Sequence, residues 1–237
     1  MIMHGKPPIA VSAAFTYHHA AMSLDSKQIE ICVLKGDVPG LRKFVELARA
    51  QGQNGIAIAH TAIWNVLTEW QNDFSCNKGG DPNDYPYLEG LSALEALGVA
   101  PYQLSDSDRY ATLNVTHERG IYYSICSNYC KNAGDLPKAR KTANEAEVVF
   151  RQALLEGSVR ERAYFHLIHL FETYPAVSLD EAAGKLVEAL DLMDDAFREL
   201  PKLSIEHFIS KTMLFYGRHL TDGIYNHPRV RDRFTQE

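Results

Sequence analysis

Two stretches far apart in the chain share one punctuation, and it constrains the fold more than any other feature. Lys35-Gly36-Asp37-Val38-Pro39-Gly40-Leu41-Arg42-Lys43 and Ala133-Gly134-Asp135-Leu136-Pro137-Lys138-Ala139-Arg140-Lys141 both read Gly-Asp, aliphatic, Pro, variable, small or aliphatic, Arg-Lys. Each also has a cysteine four residues before the glycine, Cys32 and Cys130. Glycine can end a helix by taking the left-handed conformation. Aspartate can cap the next helix and favours its positive end. Proline is tolerated in the first turn, where its missing N–H costs nothing. The pair therefore predicts an internal repeat of helix–turn–helix units, at residues 24–50 and 120–155.

The periodicity around these turns is helical almost throughout. Residues 24–34 carry Ile29, Cys32 and Val33 on one side, and residues 55–74 carry Ile56, Ala59, Ile63, Val66, Leu67 and Trp70 as an apolar stripe. A short helix is expected over 87–97, ended by Gly98. Ser105-Asp106-Ser107-Asp108 is read as the start of another, running towards His117. A further pair follows, 160–174 and a helix from Ser178 to about Leu200, with 205–220 as the last clear helix. No segment alternates apolar and polar residues in the strand manner. The expectation is an all-α chain of about nine to eleven helices in antiparallel hairpins, stacked as a solenoid or an irregular bundle.

The stretch from Gly120 to Phe150 adds a resemblance. Tyr123, Cys126, Ser127 and Cys130 sit at helical spacing before Gly134-Asp135, and Ala139, Ala143 and Ala146 recur after it. This is similar to the helix–turn–helix unit of tetratricopeptide (TPR) proteins, with Cys126-Ser127 where Leu-Gly is usual and Cys130 where Tyr is usual. The 160–200 pair is a second TPR-like unit, its Ala182, Leu186, Ala189 and Leu190 repeating the spacing. The resemblance implies a non-catalytic adaptor, chaperone or regulator that holds a protein or peptide in a groove lined by the first helix of each pair. Carried over by position, the groove would show Ser124, Asn128 and Lys131 on one helix, and Arg162, Phe165, His169 and Glu172 on another. Such stacks expose apolar end faces, so a homo-oligomer is a further reading.

Composition excludes other classes. The hydrophobic fraction is 46%, the charged fraction 23%, and the net charge -6, which argues against a general nucleic-acid binder, since that needs a basic footprint. No run approaches the length of a membrane span. Cys32, Cys76, Cys126 and Cys130 contain no Cys-x-x-Cys pair; Cys126 and Cys130, four apart on one helix face, read as reduced, partly buried core residues, which fits a cytoplasmic protein. Residues 1–22 read as a flexible arm rather than a secretory signal, 23–222 as one helical domain with a long loop at 72–86, and 223–237 as a tail bearing Arg229, Arg231 and Arg233. The loop's Asp73, Asp81 and Asp84 lack EF-hand spacing.

The rival reading is a metal-dependent enzyme. His166, His169 and Glu172 are spaced by three on one helix surface, and imidazoles with a carboxylate suit iron or zinc. The Glu-x-x-His pair of helical-bundle metal sites is absent. His117 with Glu118, Glu206 with His207, and His219 with Asp222 would have to converge to complete such a site. No nucleophile elbow and no phosphate loop occurs. The preferred reading therefore calls for no cofactor, no metal and no catalytic residue.

Overall fold

A computed structural model describes residues 24–75, 80–98, 113–200 and 224–235. Nine α-helices and no strand occur among these residues. They are α1 (Ser26–Lys35), α2 (Val38–Ala50), α3 (Gly52–Ser75), α4 (Tyr87–Leu97), α5 (Val115–Asn132), α6 (Leu136–Glu156), α7 (Arg160–Glu172), α8 (Leu179–Glu199) and α9 (Pro228–Thr235). Single 3-10 turns lie at Pro82–Asp84 and Ile224–Asn226. The expected arm at 1–22, most of the helix expected from Ser105 to His117 and the helix expected over 205–220 lie outside the described residues.

The two repeated turns have the same geometry. Gly36 and Gly134 take φ of 63° and 81°, a conformation in which a Cβ is strained. The N–H of Asp37 reaches back to the Cys32 carbonyl at 2.9 Å, and that of Asp135 to the Cys130 carbonyl at 2.9 Å. This is a Schellman closure, and it gives the shared cysteine position its place: the residue's carbonyl is the acceptor. Each aspartate then caps the following helix, Asp37 accepting from the Gly40 N–H at 3.0 Å and Asp135 from the Lys138 N–H at 3.1 Å. Pro39 and Pro137 both occupy the first helical turn.

The helices pack in sequence. α1 lies against α2 and α3, α2 against α3 and α4, α4 against α5, α5 against α6, α6 against α7, α7 against α8, and α8 against α9. Two apolar cores result. The first gathers Ile29, Val33, Leu41, Leu67, Tyr87, Leu91 and Leu94, and ends on Tyr122 and Cys126 of α5. The second gathers Ala143, Ala146, Phe150, Leu167, Ile168, Phe171 and Met193, with Ile121 of α5 against it. Helix α5 thus has one face in each core.

Three expectations shift. The helix expected to begin at Gly120 begins earlier, at Val115, where Asn114 caps it and accepts the His117 N–H at 2.7 Å. Gly120 is no break there: a Cβ at that position would lie 2.5 Å from the Phe150 ring, so glycine lets α6 approach. The loop at 72–86 is shorter than read, since α3 runs to Ser75 and Asp81 caps the turn at Pro82–Asp84. The tail forms α9, whose Val230 is fully buried with Ala183 and Leu186 of α8.

Candidate functional site

Where the two cores meet, α5 carries two buried polar residues in its first turns. His117 and Glu118 are 0% and 1% exposed. An ionised carboxylate taken out of water needs partners, and Glu118 draws them from three helices. His117 Nδ1 lies 3.3 Å from Oε1, Arg162 of α7 donates to Oε1 at 3.0 Å, and Gln71 of α3 donates to Oε2 at 2.9 Å. Gln71 also donates to the Tyr87 hydroxyl of α4. Burial alone would oppose charging Glu118. The hydrogen bond and charge of His117, the charge of Arg162 and the Gln71 hydrogen bond together outweigh it and hold the carboxyl below its ordinary range. Burial, with the Glu118 charge beside it, pushes the Tyr87 phenol far up, so it stays neutral.

The network continues across α5 and α7. His117 Nε2 and His166 Nδ1 are 2.9 Å apart. Phe150 of α6 stacks on the His166 ring, with centroids 5.7 Å apart and planes 13° from parallel, and Phe165 meets the same ring edge-on. Because Glu118 only accepts, His117 must donate from Nδ1, which fixes that nitrogen as protonated. A carboxylate, two imidazoles, a guanidinium, an amide and a phenol thus tie α3, α4, α5 and α7 together through hydrogen bonds and the Arg162–Glu118 ion pair.

The seven residues carried over to a groove all lie on α5 and α7. Ser124, Asn128, Phe165 and His169 are half-buried, and Lys131 is exposed. Lys131 Nζ donates to the Thr173 carbonyl at 2.9 Å, which sets the C-terminal ends of α5 and α7 side by side. Arg162 turns into the polar network, its guanidinium paired with Glu118, and is part of the support beneath that face. His169 Nδ1 lies 3.4 Å from Glu172 Oε2.

The trio read as a metal site divides. His166 turns its Nδ1 to His117, while His169 pairs with Glu172. Among the described residues no three His, Cys, Asp or Glu side chains converge as a metal ion would need. Glu206, His207, His219 and Asp222 lie outside the described residues. Cys126 is buried in the first core, and burial pushes its thiol up to about 12, so it is protonated and a poor nucleophile.

A second feature lies away from this face. Val38, Leu41, Val45, Leu88 and Ala93 line a groove of about 550 Å³ between α2 and α4, rimmed by Arg42, Glu46, Arg49 and Glu89. No helix of the described residues is long and apolar enough to cross a membrane.

Comparison with protein-family models, with curated proteins and with solved structures finds no significant match to the chain.

Proposed function

We propose that the chain is a non-catalytic helical scaffold, an adaptor, chaperone or regulator of TPR-like design, that binds a protein or peptide along α5 and α7. The observation that supports this is the shared face of these two helices. Ser124, Asn128 and Lys131 recur at helical spacing on α5, and Phe165 and His169 on α7, each at least partly accessible. Asn128 and Ser124 offer donors and acceptors to an extended backbone, Phe165 an apolar anchor, and Lys131 a positive charge. The polar network beneath holds both helices in place before a partner arrives, which lowers the ordering cost of binding.

The test is capture of partners from cells expressing the full chain, followed by affinity measurement with each partner found. One variant combines Asn128→Ala, Lys131→Ala and His169→Ala. A second, Arg42→Glu with Glu89→Lys, alters the groove between α2 and α4. The proposal expects at least a tenfold loss of affinity in the first variant and little change in the second. Full affinity in the first, or loss only in the second, moves the binding surface off α5 and α7. Enzymatic turnover of a small molecule with no partner captured would replace the scaffold reading altogether.

A further inference from the structure

Among the arginines whose side chains are described, Arg42 and Arg49 stand without a carboxylate partner, while the others each reach one. Both lie on the rim of the groove between α2 and α4, together with Glu46 and Glu89. All four residues are exposed. None of them forms an ion pair among the described residues, although Arg42–Glu46 and Glu46–Arg49 have the spacing at which helical neighbours pair. The groove thus offers an apolar floor and four uncommitted charges around it.

Their order along the groove follows from where the helices start. A Cβ at Gly36, just before α2, would lie 3.1 Å from Pro86, just before α4. The two helices therefore begin side by side, and both line the groove to their last turns. Glu89 is the third residue of α4, and Arg42, Glu46 and Arg49 are the fifth, ninth and twelfth of α2. At the helical rise per residue they stand at about 3, 6, 12 and 16.5 Å along the groove. The signs alternate: minus, plus, minus, plus. Turned end for end, the row reads plus, minus, plus, minus, so a reversed copy sets every charge against its opposite. The midpoint between Glu89 and Arg49 and the midpoint between Arg42 and Glu46 coincide to within about 1 Å, so a single two-fold axis serves both pairings.

We propose that this groove is a self-association surface, in which α2 of a second copy of the chain lies antiparallel across it. Arg49 faces Glu89 of the second copy and Arg42 faces its Glu46, and the two-fold axis makes each pair twice. Ridge-into-groove packing lays the exposed Val38 and the aliphatic stems of Arg42 and Arg49 on the apolar floor. The floor supplies the attraction and the charges set the register. The rim charges sum to zero, so they favour neither an acidic nor a basic peptide; what they match is their own order of signs. This surface is separate from α5 and α7 and does not depend on what binds there.

The test is sedimentation of the full chain over a concentration series, alongside Arg49→Glu, Glu89→Arg and the double exchange of both. The two positions are exposed, so all three variants should fold, and circular dichroism checks that they do. The wild type is expected to dimerise. Each single exchange sets like charges opposite each other at two places and should weaken the dimer by roughly tenfold or more. The double exchange restores unlike pairs between copies and should recover most of that loss. Rescue within one copy is excluded by distance, because Arg49 and Glu89 stand about 13 Å apart along their own groove, beyond the screening length of about 8 Å at physiological salt. A wild-type chain that sediments as a monomer throughout the series overturns the proposal. So does a dimer that either single exchange leaves intact, and so does one that both weaken and the double exchange fails to rescue.

Discussion

Substituting Gly120 by alanine puts the packing between α5 and α6 to a quantitative test. In a helix interior, Gly→Ala ordinarily stabilises by about 1 kcal/mol, because alanine loses less backbone entropy. At Gly120 the added Cβ would stand 2.5 Å from Cε1 and 2.6 Å from Cδ1 of Phe150. Carbon atoms prefer roughly 3.5–4.0 Å, so the ring must retreat by about 1 Å. Phe150 is fully buried and stacked on His166, so it has little room to do so. Overpacking of this kind costs about 1–3 kcal/mol, and retreat also disturbs the imidazole it supports. The net expectation is destabilisation by about 0–2 kcal/mol, read by urea unfolding with an unchanged m-value. Gly184 of α8 is the control. There a Cβ meets only the flexible Arg229 guanidinium at 3.4 Å, so Gly184→Ala should stabilise by about 0.5–1 kcal/mol. Placing Gly120→Ala in a Phe150→Leu background should remove its penalty. Stabilisation by Gly120→Ala in the wild-type background, equal to that at Gly184, would refute the reasoning.

Other outcomes follow from the same contacts. Asp37→Ala and Asp135→Ala should each cost about 1 kcal/mol in unfolding experiments, with similar values because the two caps share one geometry, and Asn at either site should keep most of the stability. The Glu118 carboxyl titrates below its ordinary value, so its contribution is complete above about pH 4.3 and is lost as the pH falls through the lower folded value; Glu118→Gln should flatten the stability profile in that acid region. Cys126 should resist alkylation in the native protein at neutral pH when labelling is read peptide by peptide, and should react freely only in denaturant.

Much of the fold was legible because its signals are local. Gly36-Asp37 and Gly134-Asp135 spell out both the end of one helix and the cap of the next, and the structure closes both turns identically. The α9 helix was missed because eight residues with Arg229, Arg231 and Arg233 show no apolar period: Val230 is the apolar residue buried against α8, and Arg229 adds an ion pair with Asp180 that spacing does not reveal. The helix start near Gly120 was misread for a related reason. Glycine in a helix usually marks an end, whereas here it marks close approach to Phe150, thirty residues on. The polar network was the least visible part. His117 and Glu118 are adjacent in sequence, but Gln71, Arg162 and His166 are 47, 44 and 49 residues from the groups they bond. Periodicity cannot carry such pairings. Arg162 shows the consequence: its helical position puts it with the groove residues, and only the three-dimensional contact assigns it to Glu118.

The central claim is that the Glu118 network fixes the first helices α5 and α7 against each other. A double-mutant cycle with Glu118→Gln, Arg162→Met and the combined variant tests it most directly, with unfolding free energy as the readout. Glu118 is 1% exposed and Arg162 24%, so removing Arg162 alone leaves a carboxylate that water cannot reach, at a cost of about 3 kcal/mol. Neutralising Glu118 as well should recover much of that loss. The account predicts a coupling energy of about 1.5–3 kcal/mol between the two positions; a value below about 0.5 kcal/mol, the level of independent sites, would contradict it.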